Sequence, residues 1–186
     1  MLTFIDTHSH VDFEEIQVDF NDVLHKCAEV GVEKIIIPGV NQEDTPRVIE
    51  LAEKYDNLYA MVGLHPSEAQ KWNDTTYEYF KNMADNPKVV GIGEIGLDYY
   101  WDKSFNELQQ DVLKMQIELA KELNKPICIH DRDAHGDTLR ILKETKANEV
   151  GVVLHCFSGS VEFMRECINE GFYIALQESQ APRDNG

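Results

Sequence analysis

Seven short apolar runs, separated by helix-like stretches, constrain the fold more than any other feature of this sequence. The runs are mostly continuous rather than alternating, which is typical of parallel strands that are covered on both faces. The alternation continues without a linker, so it predicts one parallel sheet with helices packed against it. The predicted strands are Leu2–Asp6, Lys34–Val40, Leu58–Leu64, Val89–Ile95, Pro126–His130, Val150–Cys156 and Phe172–Leu176.

Local signals predict where some of the intervening helices begin and end. Thr45-Pro46 indicates a helix start, because proline is favoured in the first helical turn. Ser104 and Glu107 have the spacing of a capping box, and a third helix is expected to begin near Ser160. The apolar stripe predicted for the helix after Ser104 consists of Leu108, Val112, Met115, Leu119 and Leu123.

Two sequence features distinguish between the parallel α/β folds. No GxGxxG motif follows the first strand, which argues against a dinucleotide-binding Rossmann fold. Polar residues instead occur at the carboxyl end of one predicted strand after another. That placement is typical of (β/α) barrels of the TIM type, where strand ends converge on one pocket. We therefore expect an α/β barrel.

Length, charge and cysteine content limit the classes of function. The chain has 186 residues, enough for one domain with a sizeable core. Its net charge of -17 opposes non-specific binding to a polyanion. Four scattered cysteines without a CxxC motif indicate reduced thiols. No apolar run has the length of a membrane span and no signal peptide is recognisable, so we expect a cytoplasmic protein without a membrane partner.

The first predicted strand leads into a His-x-His pair, His8 and His10. Side chains alternate between the faces of a strand, so both imidazoles are expected to point the same way. Two imidazoles on one side of a strand end can hold one metal ion. The alternative is a pair of ordinary polar surface residues, and the remaining strand ends favour the metal site.

Glu94 is the most informative carboxylate. It lies in an apolar, glycine-flanked strand, where an unpaired charge would cost several kcal/mol. One metal ion, or two ions bridged by its oxygens, would remove that cost. His130 and His155 end the next predicted strands and are natural neutral ligands. Imidazole and carboxylate together suit Zn²⁺ or Mn²⁺, and positions filled by water would allow Mg²⁺.

The loops beyond these strand ends contain residues suited to nucleic acid. Arg132 has the charge and shape to bind phosphate, although pairing with neighbouring loops is an equal alternative. Tyr99, Tyr100 and Trp101 could stack on nucleobases, or simply pack within their loop. Neither alternative is decided by the sequence.

Taken together, five segments resemble the TatD family of metal-dependent deoxyribonucleases, in the amidohydrolase-like barrel superfamily. They occur in order along the chain, which makes the resemblance specific. The segments are DTHSH at 6–10, GLHP at 63–66, GEIGLDYY at 93–100, IHDRDAHGDTL at 129–139 and HCFSGS at 155–160.

This resemblance implies a barrel hydrolase that cleaves phosphodiester bonds of DNA, as a 3′–5′ exonuclease, with divalent metal ions, commonly Mg²⁺. It implies two metal ions, and it assigns Glu94 a catalytic role as the bridge between them. It further implies that His8 and His10 bind one ion, that His130 and His155 bind the other, and that His65 lies beside the scissile phosphate as a substrate or acid–base residue.

The end of the chain departs from the family pattern. Residues 177–186 are polar and carry no strand signal, whereas a complete barrel typically needs about 250 residues. We expect residues 1–176 to form a single barrel domain without its eighth strand and helix, with 177–186 as a tail unlike the family. The family's Asp after that strand would then be missing, which predicts impaired catalysis. Open sheet edges also predict self-association.

Two other functions remain open from the sequence. Related barrels use similar metal clusters to hydrolyse amide or ester bonds, so a different substrate is one alternative. The other is a shortened, non-catalytic remnant that binds metal or a partner chain.

Overall fold

The computed structural model describes residues 2–12 and 19–176, which contain one sheet of seven parallel strands. Spatial order follows sequence order, and each neighbouring pair is parallel, as the strand–helix alternation predicts. The strands are β1 Phe4–Asp6, β2 Val32–Pro38, β3 Leu58–Val62, β4 Val89–Asp98, β5 Ile127–Arg132, β6 Val152–Leu154 and β7 Tyr173–Ile174.

Helices connect the strands and cover the sheet. Within the described ranges there are six α-helices, and short 3₁₀ helices at Pro66–Lys71, Lys103–Phe105 and Ala147–Glu149 supplement them. The α-helices are α1 Phe20–Glu29, α2 Thr45–Lys54, α3 Asp74–Met83, α4 Asn106–Glu122, α5 His135–Glu144 and α6 Val161–Asn169. In this part of the chain, no helix has both the length and the apolarity to cross a membrane.

Helix α3 had no counterpart among the predicted elements. Its sequence, DTTYEYFKNM, is rich in β-branched and aromatic residues, which have low helix propensity. The start is fixed instead by Asn73, whose side chain accepts hydrogen bonds from the backbone of Thr75 and Thr76. Burial of Thr76 and Phe80 stabilises the inner face, so packing outweighs propensity here.

Two details predicted for α4 are wrong. The capping box does not form, because the N-cap residue is Phe105 and the amide of Ser104 bonds to Asp102 instead. The apolar stripe is also rotated, since Leu108 and Met115 are 38% and 39% exposed. The buried face consists of Gln109, Val112, Leu113, Gln116, Ile117, Leu119 and Ala120. Two glutamines, Gln109 and Gln116, therefore occupy core positions.

The sheet is an open half-barrel, which confirms the expected TIM-like architecture. Among the described residues, no pairing joins β7 to β1. Edge residues are exposed, with Phe4 and Ile5 of β1 at 52% and 57% and Tyr173 of β7 at 70%. The central strands β3 and β4 are almost wholly buried. The domain boundary after 176 stays a prediction, because residues 177–186 lie outside the described ranges.

Candidate metal centre

A single buried carboxylate, that of Glu94 in β4, is surrounded by histidines from four other strands. The Glu94 side chain is 5% exposed. The parallel sheet brings the carboxyl ends of its strands to one edge, so residues far apart in sequence meet there. The histidines are His8 and His10 after β1, His65 after β3, His130 in β5 and His155 after β6.

One oxygen of Glu94 faces three of these histidines. Oε1 lies 2.7 Å from His130 Nδ1 and 2.7 Å from His155 Nε2. The same oxygen lies 3.8 Å from His65 Nε2. His65 follows β3 and His130 lies in β5, the two strands that pair with β4, and His155 follows β6.

The other oxygen of Glu94 faces the His-x-His pair. Oε2 lies 3.3 Å from His8 Nε2 and 3.5 Å from His10 Nε2. The rings of His8 and His10 are 5.1 Å apart and nearly perpendicular. Both imidazoles therefore point toward one carboxylate oxygen, on the same side of the strand end, as their spacing predicts.

The chemistry and spacing of these donor atoms fit a divalent metal ion. Two sets of three residues each place one nitrogen or oxygen from every member within 4.8 Å of the others. Neutral imidazole and carboxylate are ordinary ligands of Zn²⁺, Mn²⁺ and similar ions. The two sets share the carboxylate and are His8, Glu94 and His155, and His65, Glu94 and His130.

The surroundings of His155 support this fit. Both of its ring nitrogens are buried; Nε2 lies 2.7 Å from Glu94 Oε1, and Nδ1 has no hydrogen-bond partner among the described residues. The His155 ring stacks on that of His8, with centroids 3.8 Å apart and planes 2° apart. The buried Nε2 therefore faces the charged carboxylate of Glu94, where it can coordinate a metal ion.

The protonation states suit ligation. Burial raises the pKa of Glu94, but short contacts with His10, His130, His155 and His8 outweigh it, so that the pKa lies far below its usual range. Glu94 is therefore an anion at neutral pH. A charged carboxylate inside a ring of imidazoles is the electrostatic arrangement that a cation site requires.

The histidines of the site differ in the direction of their pKa shifts. Burial, reinforced by the charge of His130, lowers the pKa of His65 to about 4. Burial is also the main cause of the lowered pKa of His8. Burial lowers the pKa of His130 too, but hydrogen bonds and charge interactions with Glu94 and Asp98 give a net increase. His65 and His8 are consequently neutral at pH 7, the form in which imidazole binds metal or accepts a proton.

Asp98 orients His130 from the side away from Glu94. Its Oδ2 lies 3.1 Å from His130 Nε2, while His130 Nδ1 faces Glu94. A carboxylate on the second nitrogen of a ligating histidine fixes its tautomer and increases its basicity. Asp98 is buried at the end of β4, directly opposite Arg132 of β5 in the sheet register.

Cys128 contacts His8 in a similar way. Its Sγ lies 3.3 Å from His8 Nδ1. Burial is the main reason that the pKa of the Cys128 thiol is far above its usual range, so the sulfur remains protonated. With its ring proton on Nδ1, neutral His8 can donate a hydrogen bond to Cys128 Sγ, a weak acceptor, which leaves Nε2 unprotonated and able to bind a metal ion.

Two buried glutamines of α4 hold the strand ends that carry the site. Gln116 Oε1 accepts a hydrogen bond from Leu64 N at 2.8 Å, and its Nε2 donates to Leu64 O at 3.0 Å. Gln109 pairs with the backbone of Asp98 in the same way, at 2.8 and 3.0 Å. Leu64 precedes His65, so α4 fixes the backbone at two points of the site.

Gly96 allows β4 and β5 to approach beside His130. Its φ is +149°, and a Cβ built there would lie 1.9 Å from His130 O. Gly96 and His130 are register partners in the sheet. Glycine is therefore required at this point, because any side chain would push the two strands apart.

Comparison with known proteins assigns the chain to a family. The sequence model of the family described as TatD related DNase matches residues 5–184. The chain belongs to the TatD family. Its resemblance to that family in the five sequence segments is thus confirmed over nearly the whole chain.

Individual TatD relatives include metal-dependent hydrolases and nucleases. An uncharacterised metal-dependent hydrolase of Bacillus subtilis, YabD, is 42% identical over 171 residues, which are 92% of this chain and 67% of YabD. The TatD protein of Shigella flexneri, named a 3′–5′ ssDNA/RNA exonuclease, is 35% identical over 158 residues, 85% of this chain and 61% of that protein.

A solved structure supports the TatD fold directly. The crystal structure of the TatD homologue YjjV from Escherichia coli superposes with a TM-score of 0.85 at 39% identity, covering 92% of this chain and 66% of that one. The chain spans about two thirds of the length of these relatives. It is thus a member of a family of metal-dependent hydrolases, with a candidate metal-binding group of histidines and one glutamate.

The structure brings most, but not all, of the predicted site residues together. The five predicted ligand residues and His65 meet around one carboxylate. Arg132 has a different setting, since it is exposed and its guanidinium lies 3.9 Å over the ring of Tyr100. Asp98, Gln109 and Gln116 were not predicted as site residues. The only sequence signal for the glutamines was their spacing of seven residues on one helix face.

Proposed function

We propose that the protein is a divalent-metal-dependent exonuclease that hydrolyses phosphodiester bonds of DNA from the 3′ end. The observation that carries this proposal is the Glu94 carboxylate, buried among five histidine side chains at the strand ends. The TatD family membership and the relatives named 3′–5′ ssDNA/RNA exonucleases support the choice of nucleic acid as substrate.

We assign two metal positions to the two oxygens of Glu94. His8 and His10 would hold one ion at the Oε2 side, and His130 and His155 would hold the other at the Oε1 side. Four imidazoles favour Zn²⁺ or Mn²⁺ over Mg²⁺, which prefers oxygen ligands. A bound divalent ion supplies Lewis-acid polarisation of the phosphoryl oxygen and lowers the pKa of a water molecule.

His65 is suited to donate a hydrogen bond to the substrate phosphate. The amide of Ser67 donates to His65 Nδ1 at 3.1 Å, so the neutral ring carries its proton on Nε2. That nitrogen faces Glu94 at 3.8 Å, a contact long enough for substrate to compete for the proton. With a pKa of about 4, His65 stays neutral through the physiological range.

Arg132 would supply the positive charge for phosphate. It is exposed at the end of β5, and it forms no ion pair with any described residue. A guanidinium without an ion-pair partner can attract phosphate locally, although the chain, with a net charge of -17, repels polyanions in general.

A cytoplasmic location is consistent with four free cysteines and stays a prediction.

The proposal is tested by a nuclease assay on metal-stripped protein. Chelated protein should not degrade 5′-labelled single-stranded DNA, and Mn²⁺, Zn²⁺ or Mg²⁺ should restore stepwise shortening from the 3′ end. Glu94→Gln should abolish the restored activity, whereas Glu107→Gln, at an exposed site on α4, should not change it. Activity that survives both chelation and Glu94→Gln would disprove the proposal, as would metal-dependent cleavage of amides or carboxylic esters but not DNA.

A further inference from the structure

Two large aromatic side chains and one arginine are exposed together beside the metal centre. Tyr100 is 50% exposed and Trp101 is 74% exposed. The Arg132 guanidinium carbon lies 3.9 Å from the ring centroid of Tyr100 and 5.4 Å from that of Trp101. We call Tyr100, Trp101 and Arg132 the aromatic platform.

The aromatic platform is tied to the site by short hydrogen bonds. The backbone amide of Tyr100 donates to Asp98 Oδ1 at 3.0 Å, and Asp98 Oδ2 contacts His130 Nε2 at 3.1 Å. The amide of Tyr99 donates to Arg132 O at 2.9 Å, which joins the ends of β4 and β5. The platform therefore begins at the rim of the metal centre, two residues beyond Asp98.

Tyr99, the residue before the aromatic platform, is not exposed in the same way as Tyr100 and Trp101. Its hydroxyl lies 3.0 Å from Asp137 Oδ2 and accepts a hydrogen bond from Gln110 Nε2 at 2.8 Å. Burial is the main cause of a rise in the pKa of Tyr99 to about 12. One aromatic residue packs inward while the next two project outward, so the loop separates a structural tyrosine from the platform.

The geometry of the aromatic platform suits a flat, electron-rich ligand next to an anion. The rings of Tyr100 and Trp101 are perpendicular, with centroids 4.8 Å apart, so they offer two faces at a corner. Guanidinium planes and aromatic rings both stack on nucleobases. Arg132 also carries a charge that can pair with the adjoining phosphate.

We propose that the aromatic platform binds an unstacked nucleobase of the strand whose phosphate lies at the metal centre. This inference rests on the proposed nuclease function and adds a base-binding subsite formed by Tyr100, Trp101 and Arg132. In a duplex the bases are stacked and paired, so only a single strand or a frayed end can present a free base face. Because every base has such a face, the platform selects strandedness rather than sequence.

The charge of the chain strengthens the need for such a contact. A protein of net charge -17 cannot hold a polyanion through a long basic groove, since most of its surface repels phosphate. Stacking supplies affinity that does not depend on positive charge. A few contacts, namely the platform and the metal centre, would then carry most of the binding.

Binding by a phosphorothioate strand, which resists cleavage, tests the platform separately from catalysis. Fluorescence anisotropy with metal present would compare a short labelled oligothymidylate with an abasic strand of equal length. The native chain should bind the oligothymidylate about ten-fold more tightly, and Trp101→Ala should weaken that binding about five-fold or more. Binding of the abasic strand should not change in Trp101→Ala.

Tyr173→Ala provides the matched control, because Tyr173 is an aromatic residue 70% exposed on β7, outside the platform. It should bind both strands as the native chain does. Equal affinity of the native chain for the two strands, or an oligothymidylate affinity unchanged by Trp101→Ala, would overturn the proposal. Cleavage of DNA without base dependence would refute the platform alone. Base-dependent binding without cleavage would refute only the nuclease function.

Discussion

Gln116 is hydrogen-bonded to both backbone groups of Leu64, as a neighbouring strand would be. Its amide oxygen accepts from Leu64 N at 2.8 Å and its amide nitrogen donates to Leu64 O at 3.0 Å, with both residues 1% exposed. Since Leu64 precedes His65, this pair connects α4 to the metal centre. Gln109 repeats the arrangement at Asp98.

Replacing Gln116 by leucine should destabilise the protein. The substitution leaves a buried N–H and a buried C=O of Leu64 without partners, at a cost of about 2–4 kcal/mol in the free energy of unfolding. Urea denaturation measures the loss. Gln70→Leu, the same chemical change at an exposed position, should stay within about 0.5 kcal/mol of the native chain. If Gln116→Leu were as stable as the native chain, the hydrogen bonds between Gln116 and Leu64 would not contribute to stability.

Gly96→Ala should be one of the most damaging small substitutions. A Cβ there would lie 1.9 Å from His130 O, and φ of +149° is unfavourable for alanine. We expect a loss above about 3 kcal/mol, or failure to fold. Gly136→Ala is the control, because nothing lies within 4 Å of a Cβ at Gly136, and alanine favours its helix. Thermal denaturation of the two variants should therefore give opposite shifts.

Asp98→Asn tests whether Asp98 supports His130. Loss of the carboxylate from His130 Nε2 should weaken metal affinity about 10–100-fold, as for other partners of ligating histidines. Competition with a chromophoric chelator would measure that affinity. Asp85→Asn, at an exposed position, should bind metal as the native chain does. If Asp98→Asn also retained native affinity, His130 would not depend on Asp98.

The open edges of the half-barrel predict self-association. Ile5 of β1 is 57% exposed on an edge strand whose outer backbone groups can pair with another chain. Sedimentation velocity should show a dimer that increases with concentration, and Ile5→Lys should reduce it. Val30→Lys, at a residue 68% exposed at the end of α1, should have no effect. A native chain that remains monomeric at all concentrations would refute this prediction.

Local sequence was sufficient to predict the residues at the strand ends, because apolar runs and metal-binding residue types occur next to each other there. Apolar runs identified the strands, and His8, His130 and His155 ended or followed them, so a parallel sheet had to bring them together. Glu94 was identifiable because a lone charge in an apolar strand needs a partner. These inferences depend on short-range patterns and on one topological rule.

The rest of the site depends on tertiary contacts that a single sequence does not display. Gln109 and Gln116 face the core because their side-chain amides hydrogen-bond to the backbone at strand ends. The buried face of α4 therefore differs from the apolar stripe that the sequence predicts. Helix α3 formed against its residue propensities because Phe80 is buried. The inward packing of Tyr99 likewise depends on a hydrogen bond to Asp137, a residue 38 positions away in the chain.

Calorimetric titration of metal-stripped protein with Mn²⁺ or Zn²⁺ tests the central claim most directly, since it asks whether Glu94 joins two metal positions. The native chain should bind two ions, and Glu94→Gln should lose measurable binding at both positions, because each is assigned one oxygen of the same carboxylate. The Glu107→Gln control should keep both. Two ions bound with native affinity by Glu94→Gln would contradict the account.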